Sequence, residues 1–263
     1  MTQTDKMLAR KDGGIGYVIF NNPERHNAVS MEMWDATRTI LEGYAKDDEV
    51  RVVVVTGAGG KAFVSGADIS KFGAERATPE AVEIYNKMTE MAYSGFHDFP
   101  KPTIAMIEGY CIGGGLGLAV SCDMRICSEK SRFAVPAAKL GLGYDYPGLR
   151  RLMDVVGPSF TKEIFFTARQ FDAEEAKAMG LVNRVVPSAE LETYVKNYAE
   201  VIAGNAPLTI GSVKFIVGEA LKDESRRNIE AMSASVRRCF ASKDYVEGRT
   251  AFMEKRKPVF TGG

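Results

Sequence analysis

A switch in periodicity near residue 188 restricts the fold more than any other feature of the sequence. Before it, short apolar runs of strand type alternate with longer stretches of helical spacing. Residues 52–55 are four consecutive valines that follow Arg51 and end at Thr56-Gly57. Thr103–Ile107, entered through Lys101-Pro102, is a second such run, and 124–127, 182–186 and Ile15–Phe20 read as three more. Helical spacing covers 31–45, 79–93 and 116–122 between them. Strands alternating with helices predict an α/β core. After Ser188 the segments 189–203, 209–221, 225–240 and 244–254 predict helices with no strong strand between them. The chain is expected to divide into a core at 1–187 and a helical region at 188–263. It shows no internal repeat and no low-complexity linker.

Composition removes several function classes. The 263 residues carry 34 Lys+Arg against 34 Asp+Glu. A net charge of zero leaves no basic surplus for a nucleic-acid partner. No apolar run approaches the roughly 20 residues that span a bilayer, so no membrane partner is expected. Residues 1–10 lack a signal-peptide core and do not read as an Arg-rich transit helix, so a cytoplasmic location is expected. Cys111, Cys122, Cys127 and Cys239 form no C-x-x-C pair, and Cys122 and Cys127 read as reduced core thiols. With His26 and His97 as the only histidines and no H-E-x-x-H, no metal site is expected. Both histidines read as structural or surface groups.

Two glycine-rich segments follow strands: 56–69, ending Ser65-Gly66-Ala67-Asp68-Ile69, and 109–117, which holds Gly113-Gly114-Gly115-Leu116-Gly117. Neither fits a phosphate-binding G-x-x-x-x-G-K-[ST] loop, and neither is read as a dinucleotide G-x-G-x-x-[GA] fingerprint with its acid about 20 residues on. No Tyr-x-x-x-Lys pair accompanies them. Three glycines at the start of an apolar helix let another group approach free N–H donors at the positive end of the helix dipole. Such a place suits an anion, or an oxygen that becomes anionic during a reaction. Close packing of helix against strand explains the same glycines, and the sequence leaves both readings open.

The ordered set of motifs resembles the crotonase (enoyl-CoA hydratase/isomerase) superfamily. Its pieces are Asn22-Pro23-Glu24-Arg25-His26-Asn27-Ala28, the segment 61–69, Lys101-Pro102 with 109–115, and Cys122-Asp123. Ala173-Glu174-Glu175-Ala176, Gly180-Leu181-Val182 and Glu254-Lys255-Arg256-Lys257-Pro258 complete it. The resemblance implies a spiral of ββα units with a helical C-terminal region that builds homotrimers, often paired as hexamers. It implies an acyl-CoA thioester as substrate, with coenzyme A arriving as part of it and no tightly bound cofactor. By similarity, the Ala67 and Gly114 N–H groups form an oxyanion hole for a thioester enolate. Arg25 and Lys61 would serve the CoA phosphates. Ser65, Ala67, Asp68 and Ile69 would lie along the adenine and pantetheine. Phe252 and Lys255 would reach the CoA of a neighbouring subunit. The segment 70–86 is expected to shape the acyl pocket.

The chain also departs from the pattern. Hydratases of this family handle water with two glutamates, and those places fall on Gly117 and Ala137. Neither residue can transfer a proton, which disfavours two-glutamate hydration. Polar groups lie nearby in Gly143-Tyr144-Asp145-Tyr146-Pro147-Gly148. Asp145 matches a catalytic aspartate position of dienoyl-CoA isomerases and 4-chlorobenzoyl-CoA dehalogenases. Ala137 replaces the dehalogenase tryptophan, and the isomerases' other acids are missing as well. Tyr144 matches the active-site tyrosine of methylmalonyl-CoA decarboxylases, which also lack a glutamate at the Ala137 position. A structural reading makes Tyr146-Pro147-Gly148 a turn before the next helix. The expected activity is an acyl-CoA isomerase, hydrolase or decarboxylase. The alternatives are hydration through other residues such as Asp145, or acyl-CoA binding without catalysis.

Overall fold

A run of valines with no polar alternation needs cover on both faces, as a central parallel strand has. The computed structural model describes residues 4–68 and 77–263 and gives the run that position. Among the described residues, six strands form the larger sheet in the order β1 (Met7–Asp12), β2 (Ile15–Phe20), β3 (Val52–Gly57), β5 (Thr103–Ile107), β7 (Met124–Ser128) and β10 (Arg184–Val186). All its pairings are parallel except β1 on β2. Val53 and Val55 face the main core, while Val52 and Val54 face a second cluster with Leu191, Val195 and Ala199. Side chains alternate across a strand, so one run supplies both layers.

A smaller sheet has the order β4 (Ala62–Val64), β6 (Tyr110–Ile112), β8 (Arg132–Ala134) and β9 (Phe171–Asp172). The helices are α1 (Met31–Lys46), α2 (Pro79–His97), α3 (Gly114–Ser121), α4 (Ala137–Leu140), α5 (Tyr146–Thr167) and α6 (Ala173–Ala178). They continue as α7 (Leu191–Ala203), α8 (Pro207–Ala220), α9 (Ile229–Phe240) and α10 (Lys243–Glu254). In chain order β3-β4-α2, β5-β6-α3 and β7-β8-α4 are successive ββα units. Each unit gives its first strand to the large sheet and its second to the small one. The expected ββα spiral is therefore present, although no repeat is visible in the residues themselves.

Several boundaries differ from the sequence reading. The strand expected at 182–186 begins only at Arg184: Val182 N–H turns back to Ala176 O, and pairing with β7 opens with the Asn183 N–H bond to Arg125 O. The helix expected at 225–240 begins at Ile229, behind a short 3-10 turn at Glu224–Arg226 and an extended Arg227. Tyr146-Pro147-Gly148 is the first turn of α5 rather than a separate turn, with proline where the helix lacks N–H acceptors. α5 then bends at Gly157, whose φ of 75° precedes Pro158. α7 covers the outer face of the large sheet, so the first helix after residue 188 is part of the core layering.

Candidate active site

The motif 22–28 folds as a tight scaffold. Asn27 is fully buried with a φ of 56°. Its Nδ2 donates to Ala58 O and Ala62 O at 2.9 and 2.7 Å, and its Oδ1 accepts from Asn22 N–H at 2.9 Å. This fixes the chain just ahead of Val29, which pairs with the strand-like segment at Ala67. Val29 N–H donates to Gly66 O at 2.9 Å, and Asp68 N–H donates to Val29 O at 3.0 Å. The Ala67 N–H between those bonds has no acceptor among the described residues.

The glycines 113–115 serve three different purposes. Gly113 caps α3 with φ 55° and ψ −114°, a left-handed conformation that favours glycine. Gly115 lies against β4 so closely that a Cβ there would stand 2.0 Å from Val64 O. Gly114 is the open position. Its N–H has no acceptor among the described residues. A Cβ on Gly114 would stand 3.7 Å from Gly66 Cα and 3.9 Å from the Ala67 nitrogen. The two expected donors are thus brought side by side at a helix N-terminus. Helix packing and an anion-ready turn coexist here, because adjacent glycines carry them separately.

Tyr93 of α2 reaches the same turn and was not singled out by sequence reasoning. Its hydroxyl donates to Gly114 O at 2.9 Å. Its ring fills the space over Gly117: a Cβ there would stand 3.1 Å from Tyr93 Cζ and 3.2 Å from its Oη. The ring is held by the edge of Trp34 at 5.4 Å and by the Arg151 guanidinium 5.7 Å from its centroid. Arg151, with its side chain only 10% exposed, bonds both oxygens of Glu90, which also accepts from Ser94 Oγ at 2.9 Å. Burial pushes the Glu90 carboxyl up, but the bonds from Arg151 and Ser94 outweigh it and leave its pKa lowered. Burial raises the Tyr93 phenol well above its ordinary pKa, with Tyr144 and Tyr85 adding to the shift. Tyr93 therefore stays a neutral donor at physiological pH.

Ala137 opens α4 and is buried in the main core, close in sequence to Pro136, whose ring borders Gly113. Tyr144 packs edge-on to Phe165 at 4.9 Å. Asp145 is exposed and caps α5 without a side-chain bond.

The expected CoA contacts divide. Arg25 Nη1 lies 3.4 Å from Asp68 Oδ1, and Ser65 Oγ lies 3.4 Å from Arg25 O, so these three residues border the Ala67 segment together. Lys61 is exposed at the start of β4. Ile69 and the first part of the expected acyl-pocket segment, 70–76, lie outside the described residues. Phe252 and Lys255 end α10, and no described contact joins them to the Ala67 and Gly114 turns. Phe252 instead lines an apolar cavity of about 940 Å³ between α8, α9 and α10. Nothing in the spacing of α2 distinguished Tyr93 from a tyrosine packed in a core. Its role follows from the absence of side chains at Gly114 and Gly117.

A family profile described as Enoyl-CoA hydratase/isomerase matches residues 10–263. The chain is 33% identical over 255 residues to a short-chain-enoyl-CoA hydratase of Clostridium acetobutylicum, covering 97% of each. It is also 33% identical over 269 residues to a carnitinyl-CoA dehydratase of Escherichia coli K12, covering 98% of this chain and 99% of that one. A crystal structure of an enoyl-CoA hydratase/carnithine racemase from Magnetospirillum magneticum superposes with a TM-score of 0.95 at 37% identity, covering 99% and 97%.

Proposed function

The chain belongs to the enoyl-CoA hydratase/isomerase family, and from that premise we propose that it works on acyl-CoA thioesters through a backbone oxyanion hole, with no carboxylate pair to handle water. The Ala67 and Gly114 N–H groups would hold the thioester oxygen as negative charge develops on it. Such donors are oriented before the reaction starts, and losing one typically costs about 3–4 kcal/mol of barrier. The observation that carries the reading is the space at Gly117, which a neutral phenol fills. The acid in contact with the Arg151–Tyr93 group is Glu90, and its charge is already taken up by Arg151. A carboxylate so neutralised is a weak base.

Isomerisation, hydrolysis and decarboxylation all use an enolate or oxyanion. Phenolic surroundings favour decarboxylation of a malonyl-type thioester. There the bond from the α-carbon to the carboxylate breaks, and its electron pair moves into the enolate held by the two amides. A proton from solvent or Tyr144 then returns to the α-carbon, and no strong protein base is needed. Arg25, Lys61, Ser65 and Asp68 would hold the CoA moiety.

A second reading is hydration assisted by other groups, with Asp145 foremost. It is favoured by the names of the relatives at 33% identity. One experiment separates the two: crotonyl-CoA hydration measured beside CO2 release from malonyl- and methylmalonyl-CoA. Negligible hydration with CO2 release supports the first reading. A hydration kcat of roughly 10 s⁻¹ or more supports the second. Saturable acyl-CoA binding without turnover across the panel would mark a non-catalytic binder.

The C-terminal helices are further proposed to build a homotrimer or hexamer, in which Phe252 and Lys255 approach the CoA of a neighbouring subunit.

A further inference from the structure

Gly114 and Gly117 stand three residues apart on α3, so they share one face of the helix. Both are partly exposed, whereas Gly115, Leu116 and Leu118 are buried. That face opens toward the site, and neither glycine has a side chain to line it. The lining comes from α2. Among the described residues, the atom nearest a Cβ on Gly114 is the Tyr93 hydroxyl at 3.0 Å, ahead of Gly66 Cα at 3.7 Å and the Ala67 nitrogen at 3.9 Å. The three atoms nearest a Cβ on Gly117 all belong to Tyr93, at 3.1, 3.2 and 3.3 Å. One phenol thus covers the face from the Gly114 turn to the next, a stretch of about 4.5 Å along the axis.

A thioester carbon carries two arms, and the site separates them. Arg25, Ser65 and Asp68 border the Ala67 segment together and take the CoA arm in the reading above. The acyl arm then leaves the carbonyl on the Gly114 side, where the first described side chain is Tyr93. The phenol is held in place from three directions. Its hydroxyl donates to Gly114 O at 2.9 Å, and the Trp34 ring meets it edge-on at 5.4 Å. Arg151, clamped by Glu90, stands 5.7 Å from its centroid. Turning the ring aside gives up all three contacts together. An extended chain advances roughly 1.2 Å per bond, so an acyl group running along α3 reaches the ring over Gly117 at about its fifth carbon.

We propose that Tyr93 is a specificity-determining residue, the wall of the acyl pocket beside α3, and that it restricts the substrate to short acyl thioesters of up to about four carbons. The proposal rests on the oxyanion-hole reading, which places the thioester carbonyl at Gly114.

The test is a calorimetric ladder of saturated acyl-CoA esters, from acetyl- to octanoyl-CoA, on the intact protein with free CoA as baseline. Each methylene taken into an apolar pocket tightens binding about fourfold. Wild type is expected to follow that gain up to butyryl-CoA and to bind hexanoyl-CoA no more tightly than butyryl-CoA. Tyr93→Leu removes the ring, and there hexanoyl-CoA is expected to bind about tenfold more tightly than butyryl-CoA. Tyr93→Phe keeps the ring and should retain the wild-type ladder. A general loss of stability weakens every ester together and leaves these ratios unchanged. Wild-type affinity that keeps rising through octanoyl-CoA, or a Tyr93→Leu ladder that still stops at butyryl-CoA, overturns the proposal. Should Tyr93→Leu not fold, the flexible Tyr93→Met carries the same expectation. The reading beneath is tested separately by isotope-edited infrared spectra of bound [1-13C]butyryl-CoA, since hydrogen bonds to a thioester carbonyl lower its stretching frequency. An unshifted carbonyl overturns the oxyanion hole, whatever the ladder shows.

Discussion

Gly117 and Tyr93 form one packing unit, with the volume that a side chain at 117 would occupy belonging to the phenol. That makes a restored carboxylate at 117 a matter of space before it is one of chemistry. Gly117→Glu alone is expected to destabilise the protein by about 1–3 kcal/mol, the usual cost of overpacking. Tyr93→Ala alone is expected to cost about 3–5 kcal/mol as a large-to-small change. The pair should be more stable than the sum of the two effects by about 1–3 kcal/mol, because each substitution relieves the other. Urea denaturation of the four proteins measures the cycle, and strict additivity would show that the two positions do not share their space. Much at this scale was legible in advance. The glycine turn announces itself by residue type, while the Ala67 segment and the motif 22–28 stand out only through the family resemblance. Tyr93 does not, because a tyrosine at a helical position looks the same whether it faces a core or a turn made of glycines. The choice between Tyr144 and Asp145 was also closed to the sequence. Their side chains leave adjacent backbone positions in different directions, and only the contact of Tyr144 with Phe165 shows which one turns toward packed residues.

The helix that carries the proposed oxyanion donor depends on what holds its other end. α3 is short and apolar, with no charged residue in its first or last turn. Its C-terminal carbonyls are met by Arg125, which lies buried on β7. Arg125 Nη1 donates to Cys122 O at 2.8 Å and Ala119 O at 3.3 Å, and its Nε donates to Leu181 O at 2.7 Å. A cation at a helix C-terminus complements the dipole whose positive end faces the site. Hydrogen bonds from a charged donor are worth about 1.5–3 kcal/mol each, and buried carbonyls left alone are costly. Arg125→Met is therefore expected to lower stability by about 3 kcal/mol, read as a reduced urea midpoint with an unchanged m-value. A loss below about 0.5 kcal/mol would mean that water replaces the guanidinium. Asp123 performs a comparable tie, accepting from Thr103 N–H at 2.7 Å and from Lys214 Nζ at 2.8 Å. The Cys122-Asp123 motif is thus structural. At this scale β2, β3, β5 and β7 of the large sheet were legible, since buried strands of five or six residues leave a clear apolar run, whereas β1, mostly exposed and mixed in polarity, was not. The small sheet was not. Its strands span two or three residues, too few to establish an alternation, and they exist only because the first strands and helices of each ββα unit bring them together.

At the scale of the whole molecule the unexplained feature is the C-terminal surface. Phe240, Val246 and Val259 are well exposed, and Phe252 and Met253 are 82% and 80% exposed. The cavity of about 940 Å³ between α8, α9 and α10 is lined by several of the same side chains. A single chain gains nothing by presenting such a surface to water, since each large apolar side chain fully buried is worth roughly 1.5–3 kcal/mol. Exposed apolar patches larger than a few hundred Å² usually mark an interaction site. Closed symmetric assembly would cover the patch once per subunit, so a single substitution acts at every interface together. On the homotrimer or hexamer proposed above, light scattering is expected to give a mass three or six times the 28.7 kDa of one chain. The paired substitution Phe252→Asp with Met253→Asp removes two apolar contacts and places charge at each interface. It should shift the population at micromolar concentration to single chains that keep their helical circular dichroism. If assembly places Phe252 and Lys255 beside a neighbour's thioester, CoA affinity falls together with the mass, and raising the protein concentration restores both. A variant that stays assembled would remove this face from the interface. A wild-type chain that sediments as a monomer at every concentration would leave the patch to some other partner.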